Sequence, residues 1–476
     1  MTNAATNIGL PADGLGTIVN DQHSRLNATA VKRIIRPGSL VQLSETIKAA
    51  CARKLHLSIA GGRHAMGGQQ FLQNGILLDM TALDRVLEFN DAARMVRCEA
   101  GATWPRLLSQ LEQIQAGAST FWTFAQKQSG ADNLTLGGAI SANVHGRGLT
   151  FGPFVEHVVS IDIVTSDGKL VRCSRQENPH LFSLVIGGYG LFGVVYAVTL
   201  QLVERQVLRR KVQIVHASEL MDHFSAAVNN GALYGDFQFA IDPASDDFLN
   251  RGVFAVYEPA PGEKVTEQAR SLTGEDWERL LLLAHTDKSK AFSEYSSFYK
   301  STHGQLYWSD RQQLSHYVDG YHQRIDLCTG AACPGSEMIS ELYVPRKALP
   351  AFLHSVRIFA RRYGWNIIYG TIRLIEKETE TFLSWAREPW ACVIFNICVE
   401  HSDCGLEEAK SAFRCLTQIA INYGGSYYLT YHKWMTRDQM IACYPQFPEF
   451  LAQKLRFDPE EIFVSNWYYS HRSLFS

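Results

Sequence analysis

"IAGGRHAMGGQQ", residues 59–70, places four glycines in twelve positions around an Arg63–His64 pair. Glycine serves where a backbone turns sharply or comes close to a ligand. Successive exposed N–H groups on such a turn form a concavity suited to an anion. The stretch continues from "LHLSIAG", which reads as a strand, so the glycines stand at a strand end. It is neither G-x-G-x-x-G in a βαβ frame nor a loop closing in G-K-[ST], which sets aside a Rossmann fingerprint and a P-loop. Two further glycine-rich stretches follow, "TLGGAISANVHGRG" (residues 135–148) and "GGYGLFGVV" (residues 187–195). Clusters so far apart in the chain, each beside a strand, point to one extended ligand crossed by several loops.

Outward from these loops the chain alternates helices and strands. "SLVQLSETIKAACARK" carries Leu43, Ile47 and Ala50 at helical spacing behind Ser39, a helix-start residue. "GILLDMTAL" and "MVRCEAGAT" read as strands, and "WPRLLSQLEQI" as a helix. "HVVSIDIVTSDGKLVRCS" reads as a hairpin turning at Asp167-Gly168. Past Glu204-Arg205 the glycine clusters stop. "EMISELYVP", "IIYGTIRLIE" and "ACVIFNICVE" predict strands of an antiparallel sheet, and "GLEEAKSAFRCLTQIAINYGG" a helix closed by Gly424-Gly425. The expected organisation is a lead-in over 1–25, a cofactor domain over 26–206, a cap or substrate domain over 207–426 and a distinct C-terminal segment over 427–476.

Composition narrows the function classes. A 476-residue chain with 46% hydrophobic and 19% charged residues is an ordinary globular protein of more than one domain. A net charge of −2 offers no basic excess for nucleic acid. The most apolar run, "LFGVVYAVTLQLV", is too short to span a bilayer and reads as a buried strand. No secretory signal is read in "MTNAATNIGLPADG", and ten scattered cysteines without a CxxC pair suit free thiols in a reducing, cytoplasmic setting rather than a metal site.

The ordered set "GGRHAMGGQ", "LLDMTALDRV", "GATWPRLL", "ADNLTLGGAISANVHGRG" and "GGYGLFGVV" resembles the flavin domain of the vanillyl-alcohol-oxidase/para-cresol-methylhydroxylase superfamily, over roughly residues 26–206. The resemblance implies an α+β fold: a two-subdomain FAD-binding domain under an antiparallel-sheet cap. It implies that Ala60, Gly61, Gly62, Arg63, His64, Ala65, Gly67 and Gln69 wrap the FAD pyrophosphate. Gly130, Thr135, Gly137, Gly138, Ala142, Asn143, Val144 and His145 would line the cofactor, with Val194 on the adenine side. "GRH" followed by "GQ" is similar to members that attach FAD through this histidine, cytokinin dehydrogenases and sugar-lactone and alditol oxidases among them. His64 is therefore the expected covalent site. The cysteine of doubly linked members is missing from "SGADNLTLGG".

The tail, "GGSYYLTYHKWMTRDQMIACYPQFPEFLAQKLRFDPEEIF", resembles decaprenylphosphoryl-ribose 2-oxidases. There Tyr428 takes the position of a flavin-contacting tyrosine, and Tyr431 that of a lysine, with Lys433 two residues on. "YPQFPEFLAQKLRFDP" reads as a packing helix with a turn at Asp458-Pro459, whereas "YYLTYHKW" suits a pocket wall. "GTIRLIE" resembles the cap strand of alditol-type oxidases, which makes Arg373 a pocket candidate; a surface ion pair with Glu376 or Glu378 is its other reading. The acidic and histidine positions of those enzymes fall on Thr371 and Asn396.

The sequence thus predicts an FAD-dependent oxidoreductase that takes a hydride from a CH–OH carbon of a sugar, polyol, lactone or similar small polar substrate, with oxygen or another acceptor completing turnover. Lys433, His432, Tyr428, Tyr431 and Arg373 are the expected catalytic and substrate-holding residues, with His145 a further titratable candidate. Oxidation of a CH–NH donor and a non-catalytic flavoprotein are the alternatives.

Overall fold

The computed structural model describes residues 16–266, 269–314, 318 and 320–476; most of the lead-in lies outside them. A small parallel sheet holds Ile76–Asp79 between Arg33–Ile35 and Leu57–Ala60. The helix Leu40–Ala52 starts where the sequence predicts, with Ser39 Oγ accepting from the Gln42 amide. Its Leu43, Ile47 and Ala50 face this sheet in one apolar cluster. Helical spacing puts all three on the side turned away from water.

A second sheet runs Leu170–Ser174, Val158–Val164, Val194–Glu204, Met95–Glu99 and Val86–Asn90, with Trp122–Phe124 on the far end of the long central strand. The first two strands form the expected hairpin, turning at Gly168 with φ +73°. Val194–Glu204 leads directly into Val207–His216 of the eight-stranded cap sheet.

The cap sheet is antiparallel throughout, in the order 306–308, 207–216, 251–259, 234–239, 367–375, 390–400, 335–345, 426–427. Helices Leu349–Tyr363 and Asp403–Asn422 pack against Gly335–Pro345. Helices Gly274–Thr286 and Lys288–Ser301 help close the cavity on the opposite side.

The first described segment returns to the glycine loop and the tail to the small sheet. The Gln22 amide donates to Arg63 O at 2.9 Å, and Asn27 Nδ2 to Met66 O at 2.7 Å. The tail helix Phe447–Phe457 ends in a buried Lys454–Asp458 pair. Asp458 also accepts from the Ile462 and Phe463 amides, which sets Phe463 beside Leu57 of the small sheet. Removing one partner of such a buried pair costs about 3–5 kcal/mol.

Candidate active site

One cavity of about 650 Å³ lies between the glycine loops and the cap sheet. Two of the loops meet closely at Gly61 and Gly62. A methyl group on Gly61 would lie 2.0 Å from Thr135 Oγ1, and one on Gly62 2.3 Å from the Asn133 carbonyl oxygen, so neither position has room for a side chain. Thr135 caps the helix Leu136–Ala142, and Asn143 turns the chain out of it in the left-handed region, φ +46°. Asn143 holds that turn by accepting from the Val155 amide at 3.0 Å. The turn delivers Val144 and His145 to the cavity wall.

Ala60 to Ala65, Gln69, Gly130, Thr135, Gly137, Gly138, Ala142, Val144 and His145 all line this cavity. Gln69 Oε1, Gln70 Oε1 and Ser129 Oγ face it buried and without a hydrogen-bond partner. Buried polar atoms are ordinarily satisfied, so their state fits a polar group seated there. Gly67 and Asn143 do not line the cavity, and Asn143 instead holds the turn before His145. Val194 differs from expectation: its side chain packs in the apolar core opposite Val164, and Gly193 and Val195 on either side reach the cavity instead. Strand alternation explains the one-residue offset.

His64 Nδ1 lies 2.9 Å from His23 Nε2. Burial, then the neighbouring His64 and His322, lower His23 from its ordinary value to about 3. His23 is therefore a neutral ring at neutral pH.

The cap sheet supplies the opposite wall. Side chains alternate along strands, so Glu337, Ile339 and Glu341 share one face, as do Tyr369, Thr371 and Arg373. Cross-strand register sets Gln238, Thr371, Ile394 and Glu341 in one row over four strands. Glu341 Oε1 lies 2.8 Å from His145 Nε2 and accepts from Tyr343 OH at 2.5 Å. Burial alone would raise the Glu341 carboxyl; His145, Tyr343 and Arg373 together hold it below its ordinary value. His145 Nδ1 lies 3.2 Å from Gly146 O. Cys392 Sγ is 3.9 Å from His145 Nε2, and burial keeps this thiol protonated by pushing it well above its ordinary value.

Arg373 is 5% exposed and turns into the cavity. Its Nη2 donates to Ser129 O at 3.3 Å, and its Nε has no partner. Glu376 pairs with Arg346 instead, and Glu378 accepts from Thr381, so neither takes the surface ion pair that was the alternative for Arg373. Tyr428 OH donates to Ala142 O at 2.5 Å while its amide donates to Glu341 O, which ties the tail to both walls. Tyr431 lines the same space, with its ring 5.6 Å from that of Tyr428.

His432 and Lys433 stand apart from this cluster. The tail backbone turns His432 away from the cavity into an aromatic stack of Phe413, Tyr427 and Trp434. Burial lowers His432 to about 3 and also lowers Lys433, but neither lines the cavity. Glu341, His23 and Arg147 join the cavity without having been singled out from sequence.

The FAD binding domain family matches residues 31–174, and the D-arabinono-1,4-lactone oxidase family matches residues 198–471. L-gulono-1,4-lactone dehydrogenase of Mycobacterium tuberculosis is 25% identical over 440 residues, covering 92% of this chain and 95% of its own length. Mitochondrial L-galactono-1,4-lactone dehydrogenase of Arabidopsis thaliana is 27% identical over 44% of this chain and 33% of its own length. Cytokinin dehydrogenase 2 of rice (Oryza sativa subsp. japonica) is 27% identical over 41% of this chain and 34% of its own length. The sequence reading of a PCMH-type flavin domain under a cap agrees with these matches. The protein is an FAD-dependent oxidoreductase acting on CH–OH donors. The chain belongs to the D-arabinono-1,4-lactone oxidase family.

Proposed function

We propose that the protein oxidises a ring or chain hydroxyl of a sugar-derived lactone or polyol, and that the His145–Glu341 pair takes the hydroxyl proton. The observation that carries this reading is the buried Glu341, 2.8 Å from His145, on the cavity face of the cap sheet. The carboxylate position of alditol-type relatives is Thr371 here, and Glu341 lies in the same cross-strand row. FAD bound between the glycine loops would supply the acceptor for the substrate hydride. Ala60 to Ala65, Gln69, Thr135, Gly137, Gly138, Val144 and His145 would hold that group. Arg373 and Tyr431 orient the substrate oxygen, and the guanidinium stabilises negative charge on it as the proton departs. Tyr428 fixes the distance between the walls.

The lactone class is supported by the gulono- and galactono-lactone dehydrogenases among the relatives, the first over nearly its whole length. The cytokinin dehydrogenase match covers only a third of that protein and carries no substrate argument. Among the described residues no helix is long and apolar enough to cross a membrane. Ten unpaired cysteines support a reducing, cytoplasmic location. Glu341→Gln and His145→Ala test the proton step. Each should slow anaerobic flavin reduction by about 10²–10⁴-fold; reduction at the wild-type rate in both would remove the pair from the mechanism.

A further inference from the structure

Beyond Arg373 the cavity continues under the cap helices to a second buried guanidinium. Arg210 is 8% exposed and stands on Val207–His216, opposite Tyr257. Its Nε donates to Tyr257 OH at 2.9 Å and its Nη1 to Thr302 Oγ1 at 3.0 Å. Its carbon centre lies 4.4 Å from the ring centroid of Tyr307 and 5.1 Å from those of Tyr257 and Tyr299. No carboxylate pairs with it among the described residues. The two acids that line the cavity are already engaged, Glu337 with His285 and Glu341 with His145, and Asp236, which does not line it, pairs with Arg147 and accepts from Gln238. A guanidinium carries five N–H donors, and Nε, Nη1 and Nη2 each spend one here, leaving one on each terminal nitrogen.

Tyr295 OH is buried without a hydrogen-bond partner and lines the same cavity, as does Arg147, whose Nε lies 3.6 Å from Asp236 Oδ2. Tyr369, 37% exposed, also faces it, on the same strand face as Arg373. The cavity therefore has a cation without an acid partner beside the proposed reaction centre and another on its arginine–tyrosine wall.

We infer that this second chamber binds an oxyanion, carboxylate or phosphate, at the end of the substrate remote from the carbon that is oxidised. The inference rests on the proposed sugar-type chemistry and narrows its substrate class to acidic sugars. Two spare guanidinium N–H groups match two oxygens of a carboxylate or phosphate, and the tyrosine rings exclude water around the pair. A neutral sugar could meet these donors with hydroxyl oxygens but would bring no charge to offset the guanidinium.

The test uses the holoenzyme reduced beforehand with dithionite and kept anaerobic, and three probes: glucuronate, glucose 6-phosphate and glucose. Calorimetric titration then reads binding alone, because reduced flavin takes no hydride. Wild type should bind at least one acid probe at least about tenfold more tightly than glucose, which is one factor of ten in Kd. The stronger acid probe identifies carboxylate or phosphate as the preferred anion. Arg210→Met should abolish that preference, while Arg210→Lys, which keeps the charge, should retain part of it; circular dichroism of both variants confirms that each is folded. Equal binding of glucose and both acids to wild type, or an acid preference unchanged in Arg210→Met, overturns the inference. Anaerobic flavin reduction by neutral lactones in the same preparation, before dithionite is added, reports on the proposed chemistry separately, so a failure there is distinguishable from a failure of the anion site.

Discussion

His64 and His23 meet through a single nitrogen–nitrogen contact of 2.9 Å. When His64 Nδ1 carries the proton and donates, Nε2 keeps the lone pair that a covalent bond to the flavin methyl requires. His23, neutral through burial, accepts that proton when its own sits on Nδ1, and so would fix this tautomer. Wild-type protein denatured in acid should keep its flavin colour, His64→Ala should release it, and His23→Ala should lower the attached fraction while still binding FAD. Flavin that washes free of the wild type would contradict the assignment. His64 and His145 were legible in the sequence because each sits inside a glycine loop of fixed order. His23 was not, since it precedes His64 by forty-one positions and is brought back by the Gln22–Arg63 and Asn27–Met66 hydrogen bonds. Glu341 was hidden in a stretch read as a core strand. Its signal was an acid recurring at alternate positions, Glu337 and Glu341, along one face of an otherwise apolar strand.

Strands and helices were legible at the level of the element, because their apolar periods are long and their ends carry Ser39, Asp167-Gly168 and Gly424. The direction in which the tail "YYLTYHKW" turns its side chains was not, because no regular period governs an irregular segment. Tyr428 and Tyr431 reach the cavity, whereas His432 enters the aromatic stack. That placement has a consequence for pH. Burial lowers His23 and His432 to about 3, and His322 and His471 to about 4, from an ordinary 6.5. Between these values the unfolded chain binds more protons than the fold. Stability therefore rises with pH from about 4 to about 6.5, by up to about 1.4 kcal/mol per pH unit for each ring. The urea midpoint should be lower at about pH 5 than at about pH 7, a comparison that takes in the upper part of the titration window. His432→Phe should narrow that difference and leave flavin reduction intact. An unchanged difference would place His432 in solvent; slowed reduction would return it to the active site.

At the scale of the molecule, a loop-rich cofactor half and a sheet-based cap meet across one cavity, and each contributes residues the other lacks. The loops bring backbone amides and His145; the cap brings Glu341 and Arg373. Gly130 lines the cavity, and a methyl group there would meet no protein atom within 4 Å. Gly130→Phe should therefore fold normally and purify without flavin, while a yellow variant would place the cofactor elsewhere. The family and the cofactor were legible from ordered loop motifs, but the shape of the substrate chamber was not, since strands distant in sequence assemble it. The most direct test of the account is anaerobic bleaching of the bound flavin by a panel of sugar lactones, polyols and amines, in wild type and in Glu341→Gln. The account predicts rapid bleaching of the wild type by a hydroxyl donor and a loss of about 10²–10⁴-fold in the variant. Bleaching by amines alone, or by no donor at all, would contradict it.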